Sequence, residues 1–197
     1  MRIPVIDNGG QWTHREWRVL RDLGVETEIL ANSTPFEEIR ADGIVLSGGA
    51  LSLEGTDSRL GRVADWIDRA EVPVLGICVG HQFLGRHFGG TVARGAPEFG
   101  RVEIEIDHAD HPLFSGFSPR FTAWASHNDQ VLEAPPGWRT LAHSSACRVE
   151  AMSHPTRAIW GVQFHPEVEH TEHGREIFER FIATCSARTP AISKTSR

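Results

Sequence analysis

No apolar run in this sequence is long enough to cross a bilayer as a helix, and no short stretch has the character of a signal peptide. Both absences lead to the expectation of a cytoplasmic protein without a membrane partner. Excess positive charge is also missing. Lys and Arg number 20 against 26 Asp and Glu, a net charge of −6, which argues against nucleic acid or an anionic surface as partner. Cysteine is scarce: Cys78, Cys147 and Cys185 are an odd number without framework spacing, so free thiols are expected. No internal repeat and no low-complexity linker divides the 197 residues, which are enough for one domain with a substantial core. From Ser186 onward the chain is polar and aperiodic. A domain at 1–187 and a disordered tail at 188–197 are therefore expected.

What the chain does have is organised around Val74-Leu75-Gly76-Ile77-Cys78-Val79-Gly80-His81-Gln82. An apolar run ends in a cysteine with glycine two residues to either side, and His81 to Phe88 reads as helix. This is the pattern of a nucleophile elbow, a reactive side chain on a strained turn from strand to helix. Glycines let the chain pass close to its neighbours there. A helix start aims free N–H groups and a partial positive charge at the sulfur, which favours thiolate. A buried structural cysteine at a strand end is the alternative for this segment taken alone.

Upstream, Ile3 to Asp7 reads as a strand, Trp12 to Leu23 as a helix with Trp17, Leu20 and Leu23 on one face, and Glu26 to Leu30 as a second strand. Thr34-Pro35-Phe36-Glu37 has the form of a capping box opening a short helix. Gly43 to Ser47 is a third strand running into Gly48-Gly49, Leu60 to Ala70 a helix, and Val72 to Ile77 a fourth strand. The alternation predicts an α/β fold with a mostly parallel central sheet, helices on both faces, and sites at the carboxyl ends of the strands. Three glycine loops, Asn8 to Gly10, Ser47 to Gly49 and Gly76 to Gly80, fall at such ends. The second half reads differently. Val102 to Ile106 alternates with period two, and Phe121 to Ala125, Trp138 to Ala142, Arg148 to Met152 and Ala158 to Phe164 are further short strands. These predict smaller antiparallel additions. Glu172 to Cys185 closes the chain as a helix.

A catalytic cysteine needs a base and a group to orient that base. Of the 11 histidines, His165 is the best placed, in Phe164-His165-Pro166-Glu167 after an apolar strand. Pro166 biases His165 towards extended backbone, and side chains at i and i+2 of an extended segment point the same way. Glu167 is thus expected to accept from one ring nitrogen while the other faces Cys78. Acyl transfer also needs an oxyanion hole of two backbone N–H groups. Val79, the residue after the nucleophile, and Gly49 are the candidates.

Three other segments compete for attention. The run from His165 to His173 is rich in His and Glu but lacks His-Glu-x-x-His spacing, so no metal is expected. Asp107-His108-Ala109-Asp110-His111 reads as an exposed turn before Pro112. Ser47-Gly-Gly-Ala-Leu-Ser52 faintly resembles a pyrophosphate loop but lacks Asp before the last serine. The six tryptophans are scattered and read as packing.

Gly76-Ile-Cys78-Val-Gly80-His-Gln82, with Ser47-Gly48-Gly49 before it and His165-Pro166-Glu167 after it, resembles the class I (triad) glutamine amidotransferases from Arg2 to about Cys185. Within that family, Asp7-Asn-Gly-Gly-Gln-Trp-Thr-His14, Trp124-Ala-Ser126-His127-Asn-Asp129 and Gly161 to Gly174 are most similar to the glutaminase subunit of two-subunit GMP synthases. The resemblance implies a single flavodoxin-like glutamine amidotransferase domain in which Cys78 attacks the glutamine amide and His165 moves the proton. Glu167 would hold His165, and Gly49 and Val79 would stabilise the oxyanion. Gln82 and the backbone around Ser126 and His127 would hold the substrate. It implies no cofactor on this chain. ATP and Mg²⁺ would belong to a separate ATP-pyrophosphatase (synthetase) subunit that converts xanthosine monophosphate to GMP and switches the glutaminase on. One departure stands out: Ala50 follows the paired glycines where the family usually has proline, which would pre-set the loop. Other readings remain: the glutaminase subunit of an anthranilate or carbamoyl-phosphate synthase, a stand-alone hydrolase of γ-glutamyl peptides, or a non-catalytic binding subunit.

Overall fold

A computed structural model of the chain describes residues 1–50 and 60–188. Of the expected tail at 188–197, Arg188 belongs to the last helix and the rest lies outside these residues, as do Leu51 and Ser52 of the loop weighed as a pyrophosphate cradle. The elements run β1 (Val5–Asp7), α1 (Thr13–Asp22), β2 (Ile29–Ala31), a 3₁₀ turn (Phe36–Glu38), β3 (Ile44–Leu46), α2 (Val63–Arg69), β4 (Val74–Ile77), α3 (Val79–His87), β5 (Thr91–Ile106), β6 (Arg120–Glu133), β7 (Arg139–His143), β8 (Ala151–Ser153), β9 (Ile159–Val162) and α4 (Gly174–Arg188).

Among the described residues one nine-stranded sheet has the order β2-β1-β3-β4-β9-β8-β7-β5-β6. The pairs from β2 to β9 are parallel and those from β9 to β6 antiparallel. The central strands β3, β4 and β9 are buried throughout, as a strand covered on both faces must be. Leu20 of α1 and Ile177, Phe178 and Phe181 of α4 pack on one face with Val45, Leu75 and Val162. Val63, Trp66 and Ile67 of α2 and Phe83 and Leu84 of α3 pack on the other with Ile6, Ile44 and Val74. The parallel sheet, the covering helices and the antiparallel additions are those expected.

Two local expectations change. The capping box does not form: Pro35 stays extended, no side chain caps the turn, and Glu37 reaches Arg69 at 2.7 Å instead of turning back to Thr34. Helix α2 therefore holds this turn, with the Arg69 guanidinium over the Phe36 ring. The strands around Val102 and Phe121 are central pieces of a much longer ribbon of 16 and 14 residues. Gly95 and Pro97 hid it, because they read as breakers. They sit in a register shift between Arg94 and Glu98, where a bulge tolerates both.

Candidate active site

Strands β3, β4 and β9 are neighbours, and their carboxyl ends carry Ser47-Gly48-Gly49, Cys78 and the segment up to His165. The sheet thus gathers residues far apart in the chain at one edge, beside the loop that follows β1. This is the crevice where open α/β sheets bind ligands.

Cys78 joins β4 to α3 with φ 50° and ψ −105°, a left-handed backbone that a non-glycine residue adopts only under constraint. Two glycines make room for this turn. A Cβ on Gly76 would lie 2.7 Å from the Gly80 carbonyl carbon, and one on Gly80 would run into the Leu46 backbone and come 2.8 Å from its Cβ. The Cys78 N–H is held by Val162 O of β9 at 2.9 Å. The Cys78 side chain is buried and receives the Gln163 amide at 3.7 Å. Val79, the first residue of α3, has one of the N–H groups that a helix start leaves without an intrahelical partner.

His165 is fixed on all sides. Its N–H donates to Trp124 O at 2.8 Å, its carbonyl accepts from Thr171 Oγ1 at 2.6 Å, and Trp12 packs edge-on at 4.3 Å. Its Nδ1 donates to Glu167 Oε1 at 2.6 Å, the i, i+2 pairing read from the extended backbone. Burial works against a charged His165. The Glu167 carboxylate, and then Cys78 within hydrogen-bond reach, outweigh it and hold the imidazole well above its usual range. Gly48 makes room for this ring: a Cβ there would lie 3.2 Å from His165 Cε1.

The glycine loop is pinned by side chains. The Asn8 N–H donates to Ser47 Oγ at 2.9 Å, Ser47 Oγ donates to Gly48 O at 2.8 Å, and the Gly48 N–H donates to Glu16 Oε1 at 3.2 Å. Gly49 passes so close to Asn8 that a Cβ would lie 2.6 Å from its carbonyl oxygen. A cavity of about 330 Å³ opens over these groups, with Cys78, His165, Gly49 and Glu16 on one side and Phe99, Ser126 and His127 of the β5–β6 ribbon on the other. Its volume is that of a small-molecule site.

Cys78, His165, Gly49, Ser126 and His127 line one cavity; Glu167 adjoins it through its bond to His165, and Val79 follows Cys78 at the start of α3. Gln82 stands behind the cavity wall: buried, with Nε2 donating to Asp129 O at 2.6 Å and to Gln163 Oε1 at 3.2 Å. Four neighbours carried no role in the sequence reading. Gln163 shares a face with His165 by the two-residue period. Glu16 was legible as a charge on the apolar stripe of α1, four and seven residues before Leu20 and Leu23. Phe99 and Trp12 had no local signal. His81 is a packing residue. Its ring fills the space above Gly161 and donates from Nε2 to Val149 O at 3.0 Å. Burial pushes its pKa down to about 3.

Behind the cavity wall, Glu98 and His127 are partners in the β5–β6 register. Their Oε2 and Nε2 are 3.1 Å apart, and Ser144 Oγ donates to Glu98 Oε1 at 2.7 Å. Glu150, fully buried beside them, is pushed well above the carboxylate range by burial first and Glu98 second. Among the described residues these three are spaced for a metal, with ligand atoms within 4.8 Å. The exposed turn at Asp107 and Asp110 is held by His143 and Arg139.

A family model described as "Glutamine amidotransferase class-I" matches residues 4–185. Among curated proteins the chain is similar to the glutamine-hydrolyzing GMP synthase subunit of Thermoplasma acidophilum, 46% identical over 189 residues, 95% of this chain and 94% of that one. It is similar to the protein of the same name from Thermococcus kodakarensis at 49%, covering 93% and 98%. The solved structure of a GMP synthase subunit from Thermoplasma acidophilum superimposes with a TM-score of 0.90 at 46% identity, over 95% of this chain and 94% of that one. A glutamine amidotransferase from Thermotoga maritima shares the fold, with a TM-score of 0.71 at 21% identity, over 95% and 83% of the two chains.

Proposed function

The chain belongs to the class I glutamine amidotransferases, and on that premise we propose that it is the glutamine-hydrolysing subunit of a two-subunit GMP synthase. The observation that carries the chemistry is the cysteine at positive φ bordering one cavity with His165, whose ring is bonded to buried Glu167. The branch rests on relatives of the same name that match nearly end to end.

In this reading His165 takes the proton of the Cys78 thiol, and the sulfur attacks the side-chain amide carbon of glutamine. The Gly49 and Val79 N–H groups receive the developing oxyanion. Collapse breaks the C–N bond, His165 returns the proton to the nitrogen, and ammonia leaves. Water, deprotonated by the same imidazole, then cleaves the γ-glutamyl thioester and releases glutamate. Glu167 holds the Nδ1–H and stabilises the imidazolium that forms at each proton transfer. Ser126 and His127 offer backbone polar groups to the substrate's α-amino and α-carboxyl ends, and Gln82 supports them from behind through Asp129 O.

The ammonia passes to a separate synthetase subunit of the ATP-pyrophosphatase type. There xanthosine monophosphate is adenylated with ATP and Mg²⁺, and ammonia displaces AMP. Ala50, in place of proline, adds no ring constraint after the paired glycines. The test is glutamate release by the purified chain, alone and with a GMP synthetase subunit, ATP, Mg²⁺ and xanthosine monophosphate. Strong stimulation that Cys78→Ala abolishes is expected. Hydrolysis that survives Cys78→Ala would sink the triad reading. A rate indifferent to that partner would reassign the chain to another synthetase.

A further inference from the structure

The cavity wall that stands across from His165 lies where the sheet ladder is interrupted. Ser126, His127, Asn128 and Asp129 line the cavity. They belong to β6, the strand at one end of the sheet order, which pairs with β5. Opposite them the register breaks: Arg94 pairs with Asp129 and Glu98 with His127, and the residues of the bulge fall between. A bulge leaves residues unpaired and bends its strand, so main-chain pairing alone does not fix this wall against the thiol.

Side chains take over. His127 is 5% exposed as a residue but only 2% exposed in its side chain, so it shows the cavity mainly main chain and turns its ring inward. There Nε2 lies 3.1 Å from Glu98 Oε2. The contact is off the line of an aligned hydrogen bond; it sets a carboxylate against the polar edge of the ring. Burial alone would raise the Glu98 carboxyl, but His127, Glu150 and Ser144 outweigh it and hold the group below its usual range. Ser144 Oγ donates to Glu98 Oε1 and receives the Ala146 and Cys147 N–H groups. Further along the same segment, the Glu150 carbonyl accepts the Gln163 N–H at 2.7 Å, and the Gln163 amide reaches Cys78 Sγ. Glu98 thus ties the wall to a segment that is itself bonded to the residue touching the thiol. A buried carboxylate costs stability unless compensated, and an apolar side chain would fill the same space.

We propose that Glu98 is a positioning residue for substrate recognition: through its contact with the His127 ring it fixes the main chain from Ser126 to Asp129, and so sets how tightly the α-amino and α-carboxyl ends of glutamine are held. The proposal rests on the glutaminase reading above, in which that main chain receives the substrate. Its signature is a change in KM rather than kcat, because the reacting groups stand on the other half of the sheet. Glu98→Gln keeps the shape, with an acceptor and donors for the ring and for Ser144. Glu98→Leu keeps the volume and none of the polar contacts. His127→Phe breaks the same contact from the other side and leaves the main chain in place.

The test measures KM and kcat for glutamate release by the stimulated complex, together with thermal melting and two rates of inactivation at Cys78. Iodoacetamide needs only the thiol, whereas diazo-oxo-norleucine is a diazoketone that carries the α-amino and α-carboxyl groups of glutamine. Glu98→Leu is expected to raise KM at least tenfold with kcat within threefold, and to slow the diazoketone at least fivefold with iodoacetamide within twofold. Glu98→Gln is expected to keep KM within threefold of wild type. His127→Phe is expected to match Glu98→Leu, and it carries the test if the leucine variant does not fold. The double variant should raise KM less than twofold beyond either single one, since both cut one contact. The proposal is overturned by a wild-type KM in either single variant, by equal slowing of the two reagents, by a Glu98→Gln variant as impaired as Glu98→Leu, or by effects that multiply in the double variant. One zinc or manganese ion per chain in elemental analysis would make Glu98, His127 and Glu150 a metal site and overturn it as well. Cys78→Ala, assayed alongside, separates the two failures. If it stays active the glutaminase reading falls; if it is dead while KM is indifferent to Glu98, only the role of Glu98 falls.

Discussion

The two halves of the sheet follow different rules and contribute different things. From β2 to β9 the strands are parallel, three or four residues long and, at the centre, buried on both faces. Strands β1, β3 and β4 end in loops locked by packed glycines or by side-chain bonds. From β8 to β6 they are antiparallel, and β6 alternates buried and more exposed residues from Arg120 to His127 while β5 is mostly open to solvent. Phe99, at the cavity mouth, is 64% exposed. The first half sets the reacting groups, where a displacement of 1 Å is costly. The second supplies a wall to close the cavity. The lesson is that chemistry is anchored where backbone meets backbone, and recognition where one face of a strand is free to vary.

The contrast can be broken hardest at Glu167. Glu167→Gln should lower kcat about 10²–10⁴-fold, by analogy with the loss of an orienting acid in other triads, with KM little changed. The same variant tests the electrostatics. Because the His165 pKa is raised in the fold, its charged form stabilises the protein fully below the unfolded value near 6.5. That contribution is lost as pH rises through the raised value. The destabilisation by Glu167→Gln, read from urea melts, should therefore be largest below pH 6.5 and shrink in alkali. Gly80→Ala strikes the same half sterically. Its Cβ meets Leu46 backbone, which cannot yield as a side chain does. A loss of roughly 3 kcal/mol is expected with collapse of the elbow, visible as a lower melting temperature and an unreactive Cys78.

In the other half the effects shrink or change sign. Glu150 is a buried acid with a raised pKa, so the folded state keeps its proton where the unfolded chain has released it, and stability falls as pH rises from about 4.3. Glu150→Gln, which still donates to Glu98, should gain about 1 kcal/mol at pH 8 relative to pH 5, or roughly 2–4 °C in melting temperature. Phe99→Ala should leave melting unchanged and raise KM only a few-fold. An equal loss of kcat would move Phe99 from the wall to the chemistry.

The parallel half was the legible one. Short apolar runs with glycine at their ends betray buried strands, and the cysteine between Gly76 and Gly80 marked the elbow before any fold was known. His165 and Glu167 were readable because an extended backbone repeats every two residues. The ribbon was half legible: Val102 to Ile106 alternates cleanly, while Gly95 and Pro97 disguised the bulge beside it. Gln82 reads as a substrate contact by resemblance, and its Nε2 donates to Asp129 O and Gln163 Oε1. Pairings across the sheet, such as Glu98 with His127 or Glu16 with Gly48, depend on register and helix packing, which no local pattern contains. The capping box failed for a related reason: Arg69, distant in sequence, outbid Thr34 for Glu37.

The place of β9 has a consequence for how the chain is made. Among the described residues it is the last strand in sequence, yet it is inserted between β4 and β8, and its Val162 carbonyl holds the N–H of Cys78. A chain still on the ribosome and lacking β9 leaves Val74 to Ile77 as an open apolar edge, the kind of strand that pairs with whatever meets it. The long-range closure that protects this edge is slow by its topology. The step that completes the sheet also completes the elbow, so the thiol is set for attack only in a finished molecule.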